Sequence, residues 1–317
     1  MAGVENGIDI LHRTVSRRQF LSSSVRLGAG VAGLFYIRDL ETIQSLLLGN
    51  EKFTPSLEGL ENSLSLEVEK YPLTTSVSVM NLQTGEKVHV NGDDLCNTGC
   101  TINWLVLMSV VKDLEKGMYP EEEVGKDIEN TIRYSDAFLA RKLLIRTGNG
   151  NVIKGLEKVN GIINDIGLKK TFMDHPPAYW LPDQRLEDRP NLTTANEMSD
   201  ALASFWARRI CGNNWTEYMY RKMQKVKPGL NYLLPSGVPS NTGTEVGHKN
   251  GFFWDSETGA WVDNDIGIIL RSKPPKKQYA YAMTMFFSNV KTKYDIRELI
   301  LARNLSSLVW RKFDQIH

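Results

Sequence analysis

The sequence is poor in cysteine and has no long run of charge of one sign, and both shortages exclude classes of protein. Its 317 residues contain three cysteines, which show neither zinc-ribbon spacing nor a disulfide framework. Five scattered histidines add no metal-binding pattern, so we predict no metal site and no cofactor. Lys plus Arg (38) nearly balances Asp plus Glu (37), and no basic stretch is concentrated enough to predict a nucleic-acid partner. With 41% apolar and 24% charged residues, the chain is predicted to be an ordinary globular protein.

The first 45 residues differ from the rest. Arg17 and Arg18 are followed by an apolar stretch from Ser22 to Tyr36 that is rich in Gly, Ala and Ser. This pattern is similar to a twin-arginine export signal, and an N-terminal leader that stays in the cytoplasm is the alternative. The stretch is too short for a standard membrane span, but an uncleaved signal could still associate with a membrane. We therefore expect residues 1–45 to be an export signal or leader.

The rest of the chain reads as a helix, two strands, a block of helices, three strands and a last helix. Helical periodicity is found at Leu57 to Lys70, Ile102 to Lys116, Glu129 to Ile145, Val152 to Ile166, Thr194 to Arg209 and Tyr294 to Phe313, and strand alternation at Thr75 to Leu82, Lys87 to Val90, Thr244 to Trp254, Trp261 to Leu270 and Tyr279 to Phe287. This order predicts an α+β fold, in which a five-stranded antiparallel sheet is built from both chain ends, with flanking helices and an inserted all-helical subdomain. We expect residues 57–99 plus 244–317 to form the α/β subdomain and residues 100–243 the helical one.

Three short motifs occur at characteristic places in this order. Cys100-Thr101-Ile102-Asn103 opens a predicted helix, Ser135-Asp136-Ala137 lies between helices, and His248-Lys249-Asn250-Gly251 lies on the first of the late strands. With the order of elements, they resemble the class A beta-lactamase and penicillin-binding-protein family of serine acyl-transferases, whose motifs are Ser-x-x-Lys, Ser-Asp-Asn and Lys-Thr-Gly. The resemblance covers roughly Leu66 to Phe313. It implies a beta-lactamase/transpeptidase-like fold and, as ligand, a small-molecule beta-lactam or a peptidoglycan-like peptide, and it leaves the oligomeric state open.

The first motif departs from the family at both chemical positions. The resemblance places the attacking group at Cys100 and the base at Asn103. Because a thiol is a few per cent ionised at neutral pH without any base, Cys100 could still attack a carbonyl. Asn103 cannot accept a proton, so we expect it to orient or hydrogen-bond a substrate. The alternatives for Cys100 are a small buried hydrophobic residue or a disulfide partner of Cys96.

The second and third motifs keep more of the family's chemistry. The resemblance makes Ser135 the residue that passes a proton to the leaving nitrogen, and Asp136 a residue that holds the loop. Lys249 would attract the substrate carboxylate and support Ser135, with Asn250 and Gly251 at substrate-binding positions. The alternatives are a helix cap for Ser135 and Asp136 and a solvated edge-strand lysine for Lys249.

The family's lactamases also need a Glu that activates the deacylating water, and Glu187 with Asn191 has the right separation. Three functions then stay open. The first is a family member with lost or much weakened acyl-transfer activity. The second is a hydrolase or acyl-transferase that uses the Cys100 thiolate. The third is a structural or ligand-binding module, in which Trp104 or Tyr134 would plug the cleft.

Overall fold

A five-stranded antiparallel sheet runs through the centre of the fold. The computed structural model describes residues 56–178, 190–240, 242–256, 258–271 and 278–316, which all belong to the unit Pro55–His317. Their strands are β1 (Thr74–Asn81), β2 (Lys87–Val90), β3 (Cys96–Asn97), β4 (Leu192–Thr193), β5 (Thr244–Asp255), β6 (Ala260–Arg271) and β7 (Tyr279–Val290). The large sheet has the order β2-β1-β7-β6-β5, and β3 pairs with β4 separately. Since β7 pairs antiparallel with β1, the sheet joins early and late parts of the chain.

Helices cover both faces of this sheet. In the described residues they are α1 (Leu60–Val68), α2 (Asn103–Glu115), α3 (Gly125–Arg133), α4 (Ala137–Thr147), α5 (Val152–Asp165), α6 (Ala195–Trp206), α7 (Asn213–Met223) and α8 (Ile296–Ile316). Alternate residues of each strand face opposite sides, so Val77 and Val79 join one core with α1 and α8. Met80 and Ile266 join the other core, with residues of the central helices. The two cores hold the sheet between them.

This architecture confirms the predicted α+β fold, with its sheet drawn from both chain ends and its inserted helices. The short β3–β4 pair and helix α7 are additions that the periodicity did not indicate. The predicted leader, residues 1–45, lies outside the described residues. In the described part of the chain, no helix is long and apolar enough to cross a membrane.

The helical periodicity from Glu129 to Ile145 spans two helices, α3 and α4. The break between them falls at Ser135 and Asp136, where the second motif was expected to lie between helices. Ser135 adopts a left-handed backbone conformation with φ of 55°, which an α-helix does not accommodate. The Asp136 carboxylate then caps α4, accepting hydrogen bonds from the backbone N–H groups of Phe138 and Leu139 at 2.9 and 3.0 Å. Ser135 therefore lies in the short connection between α3 and α4.

Candidate active site

Cys100 lies just before helix α2. The backbone forms a 3-10 turn at Gly99–Ile102 that leads directly into this helix. Thr101 closes the turn, since its backbone N–H and its hydroxyl donate to the carbonyl oxygen of Thr98 at 3.2 and 2.6 Å. Cys100 itself is half-buried and its thiol is free, as is the thiol of Cys96. The structure therefore supports neither the buried hydrophobic residue nor the disulfide as the explanation for Cys100.

Gly251 allows β5 to approach the Cys100 turn closely. A Cβ atom built on Gly251 would lie 2.5 Å from the backbone nitrogen of Thr101 and 2.7 Å from that of Cys100. Ordinary contacts of this kind are 3.4–4 Å, so a larger residue would displace the strand or the turn. The glycine of the third motif thus fixes the distance between Cys100 and the sheet.

Lys249 is buried beneath this contact and is bonded to Ser135. Its side chain is 0% exposed, so the alternative of a solvated edge-strand lysine is wrong even though β5 is an edge strand. The Nζ atom donates to Ser135 Oγ at 2.5 Å and to the carbonyl oxygen of Asn250. The second and third motifs are therefore in direct contact.

The environment of Lys249 lowers its pKa towards neutral pH. Burial lowers the pKa of Lys249 to about 8, while the nearby acidic groups Cys100 and Asp265 push it back upwards. An amine with a pKa near 8 can both give and accept a proton at neutral pH, and its hydrogen-bond partner is the Ser135 hydroxyl.

Asn103 occupies the first turn of α2, three residues after Cys100. Residues three apart share one face of a helix, so both side chains lie on the same side. Asn103 is 2% exposed, and among the described residues its Nδ2 atom has no hydrogen-bond partner. Its amide cannot take a proton from the thiol. The position where the resemblance expects a base therefore holds a buried amide.

A cavity of about 60 Å³ opens beside Cys100. Its walls combine small apolar side chains, prolines and a few amides, namely Asn97, Thr98, Gly99, Cys100, Ile102, Asn103, Ala137, His175, Pro176, Pro177, Ala178, Pro190, Asn191 and Phe253. Trp104 and Tyr134, which would plug the cleft of a structural module, do not line it. Trp104 packs edge-on against Phe205 in the core, and Tyr134 is 47% exposed.

Asn191 and His175 form one wall of this cavity. The Asn191 Oδ1 atom accepts from the backbone nitrogens of Asp174 and His175 at 2.8 and 3.2 Å, and its Nδ2 atom donates to the His175 carbonyl oxygen at 3.0 Å. The spacing to Glu187 indicated Asn191, whereas His175 belongs to no motif and was not predicted. Glu187 itself lies outside the described residues.

The other candidates have structural settings of their own. Asp136 is the cap of α4, as its helix-cap alternative predicted, whereas Ser135 makes the contact with Lys249. Asn250 lies opposite Asp265 in the β5–β6 register, and its buried Oδ1 atom has no partner among the described residues.

A second group of titratable side chains, not found from the sequence, is buried near the same strands. His248 Nδ1 lies 2.8 Å from Asp265 Oδ1, and the Tyr232 hydroxyl donates to Asp263 Oδ2 at 2.6 Å. Asp263 and Glu298 are both 0% exposed. Burial raises the pKa of each, and the charge of Asp263 raises that of Glu298 further, so this acid pair retains a proton at neutral pH.

The described residues contain no metal site, and their larger cavity lies apart from the motif residues. In the parts of the chain that the structure describes, no cluster of three or more His, Cys, Asp or Glu residues could hold a metal ion. A larger cavity, of about 410 Å³, lies among α3, α4 and their adjoining loops, where it is lined by ion-paired residues such as Asp127 and Lys142. None of the motif residues lines that cavity.

Comparison with known proteins identifies the family. The family model described as "Beta-lactamase enzyme family" matches residues 123–313, which is more than half of the chain. The protein therefore belongs to the beta-lactamase enzyme family. No curated protein sequence gives a significant match.

Solved structures of the same fold include both penicillin-binding proteins and beta-lactamases. PBP-A is 21% identical with a TM-score of 0.63, and the match covers 82% of this chain and 97% of that one. The TLA-3 extended-spectrum beta-lactamase is 19% identical with a TM-score of 0.66, over 81% and 99% of the two chains. A beta-lactamase from Chitinophaga pinensis is 17% identical with a TM-score of 0.64, over 80% and 99%. At sequence identities this low, the structural similarity shows that the fold is shared and nothing more.

Proposed function

We propose that the protein binds a beta-lactam or a peptidoglycan-like peptide in the Cys100 cleft and that its acyl-transfer activity is lost or much weakened. The main support for this proposal is the residue in the first turn of α2. Asn103 stands there, buried, at the position from which a lysine would activate the nucleophile. Removing one group from a catalytic proton network costs on the order of a hundredfold or more in rate.

The remaining amine, Lys249, is held by partners other than Cys100. Lys249 Nζ is already bonded to Ser135 Oγ at 2.5 Å and to the Asn250 carbonyl oxygen. These contacts suit a group that attracts an anionic ligand and delivers a proton to its leaving atom. They support binding in the cleft more than activation of Cys100. A mutant of the structural neighbour PBP-A forms an acyl-enzyme complex with penicillin G, which supports a ligand of this class.

A second candidate function is acyl transfer by the Cys100 thiolate. It is favoured by the half-exposed, free thiol beside an open cavity. A thiolate is a strong nucleophile. Ser135 and Lys249 would then protonate the leaving group.

The two candidates are separated by binding and turnover measurements. We expect benzylpenicillin or a peptidoglycan peptide to bind the wild type and Cys100→Ala equally in calorimetry, and Lys249→Met at least tenfold more weakly. Turnover of a beta-lactam by the wild type should not exceed that of Cys100→Ala by more than tenfold. A hundredfold excess would refute the loss of activity. No ligand adduct at Cys100 by intact mass, and no alkylation by iodoacetamide at pH 8, would end the second candidate.

We also propose that the protein is exported through its twin-arginine-like leader and that this leader associates with the membrane. The support is the order of the Arg17–Arg18 pair and the apolar stretch Ser22 to Tyr36. Replacing both arginines with lysine should retain the protein in the cytoplasm of an expressing bacterium. Equal export of the wild type and the double variant in cell fractionation would refute this proposal.

A further inference from the structure

The larger cavity, between α3 and α4, is lined by charges of both signs. Its volume of about 410 Å³ lies in the range of pockets that enclose small molecules. The acids Glu123 and Asp127 come from α3 and the turn before it, and the bases Lys142 and Arg146 come from α4. The two bases are four residues apart, so they share one face of that helix. The charges of the described lining residues therefore balance.

Apolar side chains form much of the remaining wall, namely Met118, Val124, Leu143 and Ile145. Val124 and Leu143 belong to the core of the helical part of the fold. Tyr119 is held in the wall, because its hydroxyl donates to Asp113 Oδ2 at 3.2 Å and Arg146 Cζ lies 4.8 Å from its ring centroid. The cavity thus combines an apolar surface with an acid and a base, which is the combination that an amino acid with an apolar side chain requires.

The acids and bases of the cavity pair with each other, and one of these pairs is easily exchanged. Lys142 Nζ lies 2.8 Å from Asp127 Oδ2, and Arg146 pairs with Glu123. The Lys142 side chain is 68% exposed, whereas that of Asp127 is only 17% exposed. Exposed ion pairs contribute little to stability, so Lys142 can turn towards a ligand at low cost. The more buried carboxylate of Asp127 then needs another cation in its place.

We propose that this cavity binds a zwitterionic ligand, namely a free amino acid or a dipeptide with apolar side chains. Its ammonium group pairs with Asp127, its carboxylate pairs with Lys142, and its side chains pack against the apolar wall. Such a ligand inserts into one ion pair and replaces it with two. A ligand with a charge of one sign would instead leave either Asp127 or Lys142 without its partner. The site is independent of the Cys100 cleft, since the residues of the three motifs do not line it.

Calorimetry with the full-length protein tests whether the ligand needs both charges. The probes are L-leucine and L-leucyl-L-leucine. The matched controls are the N-acetylated and the C-terminally amidated dipeptides, which keep both side chains but lose the ammonium or the carboxylate. We expect each blocked form to bind about fivefold more weakly than the free dipeptide, which is the upper limit for one exposed ion pair. Equal affinities of the three dipeptides, or no binding of either probe at millimolar concentration, would overturn the proposal.

Variants locate the binding site. Asp127→Asn and Lys142→Gln each remove one charge at similar volume, and each should weaken binding of L-leucyl-L-leucine about fivefold. Lys87→Gln is the control, because it breaks a comparable pair with Asp200, 2.6 Å long and outside the cavity, and should leave the affinity unchanged. Loss of dipeptide binding in Lys249→Met, with binding kept in both cavity variants, would place the ligand in the Cys100 cleft and overturn the proposal.

Discussion

Replacing Gly251 with alanine tests the contact that sets the distance between the nucleophile and the sheet. The new methyl carbon would lie 2.5 Å from Thr101 N and 2.7 Å from Cys100 N, both backbone atoms that cannot rotate away. Reaching an ordinary separation of 3.4 Å requires a shift of nearly 1 Å in β5 or in the turn. Overpacking of this kind costs about 1–3 kcal/mol, so the free energy of unfolding should fall by that amount.

A matched control comes from Gly161, in the interior of α5. A Cβ atom built there meets nothing within 4 Å, so Gly161→Ala should raise the free energy of unfolding by about 0.5–1 kcal/mol. Both variants would be measured by urea denaturation, together with the iodoacetamide rate at Cys100. We expect that rate to change in Gly251→Ala and not in Gly161→Ala. Wild-type stability and wild-type thiol reactivity in Gly251→Ala would refute the packing argument.

Three other perturbations probe the charges and the lost motif. Burial and Asp263 raise the pKa of Glu298, so the folded state holds a proton that the unfolded chain releases, and stability falls as the pH rises above about 4.5. Glu298→Gln should therefore stabilise the protein by about 2 kcal/mol at pH 8. The pKa of Lys249 is lowered from 10.5 to about 8, so between these pH values the unfolded chain holds a proton that the folded protein has released. The free energy of unfolding of the wild type, measured relative to Lys249→Met, should therefore rise by about 2–3 kcal/mol from pH 8 to pH 10.5. The double variant Cys100→Ser/Asn103→Lys, which restores the family motif, should form a benzylpenicillin adduct at least ten times faster than the wild type, as measured by intact mass.

Each of these results has an opposite that would count against the structure. A destabilising Glu298→Gln at pH 8 would mean that the buried acid is ionised and paired. A stability difference between the wild type and Lys249→Met that does not change with pH would place the amine in water. No gain of adduct in the double variant, with its fold intact by circular dichroism, would mean that the cleft does not accept a penicillin.

The sequence predicted the fold well because its periodicities are long and its motif positions are ordered. Strand alternation at Tyr279 to Phe287 and helical spacing at Val152 to Ile166 each reflect burial on one or two faces, which leaves a direct trace in the sequence. The contact of Ser135 with Lys249 was accessible only through the resemblance, since the residues come from distant parts of the chain.

The remaining features depend on tertiary contacts that leave no local pattern. The acid pair Asp263–Glu298 joins β6 to α8, and neither residue stands out from ordinary surface acids until the chain is folded. His175 enters the cavity wall because Asn191 holds its backbone. Periodicity alone ran across the helix break at Ser135, because serine is a residue type that helices also accept, and only the motif indicated the break.

The pairing of β1 with β7 has a consequence for the order in which the protein folds. While the chain is being synthesised, the β1–β2 hairpin has an open edge until β7, one of the last segments made, becomes available. Pairing over such a long loop is slow, and the exposed edge is prone to association in the meantime. Nascent chains that stop before Tyr279 should therefore depend on chaperones, and protection of the Thr75–Asn81 amides from hydrogen exchange should appear late in refolding.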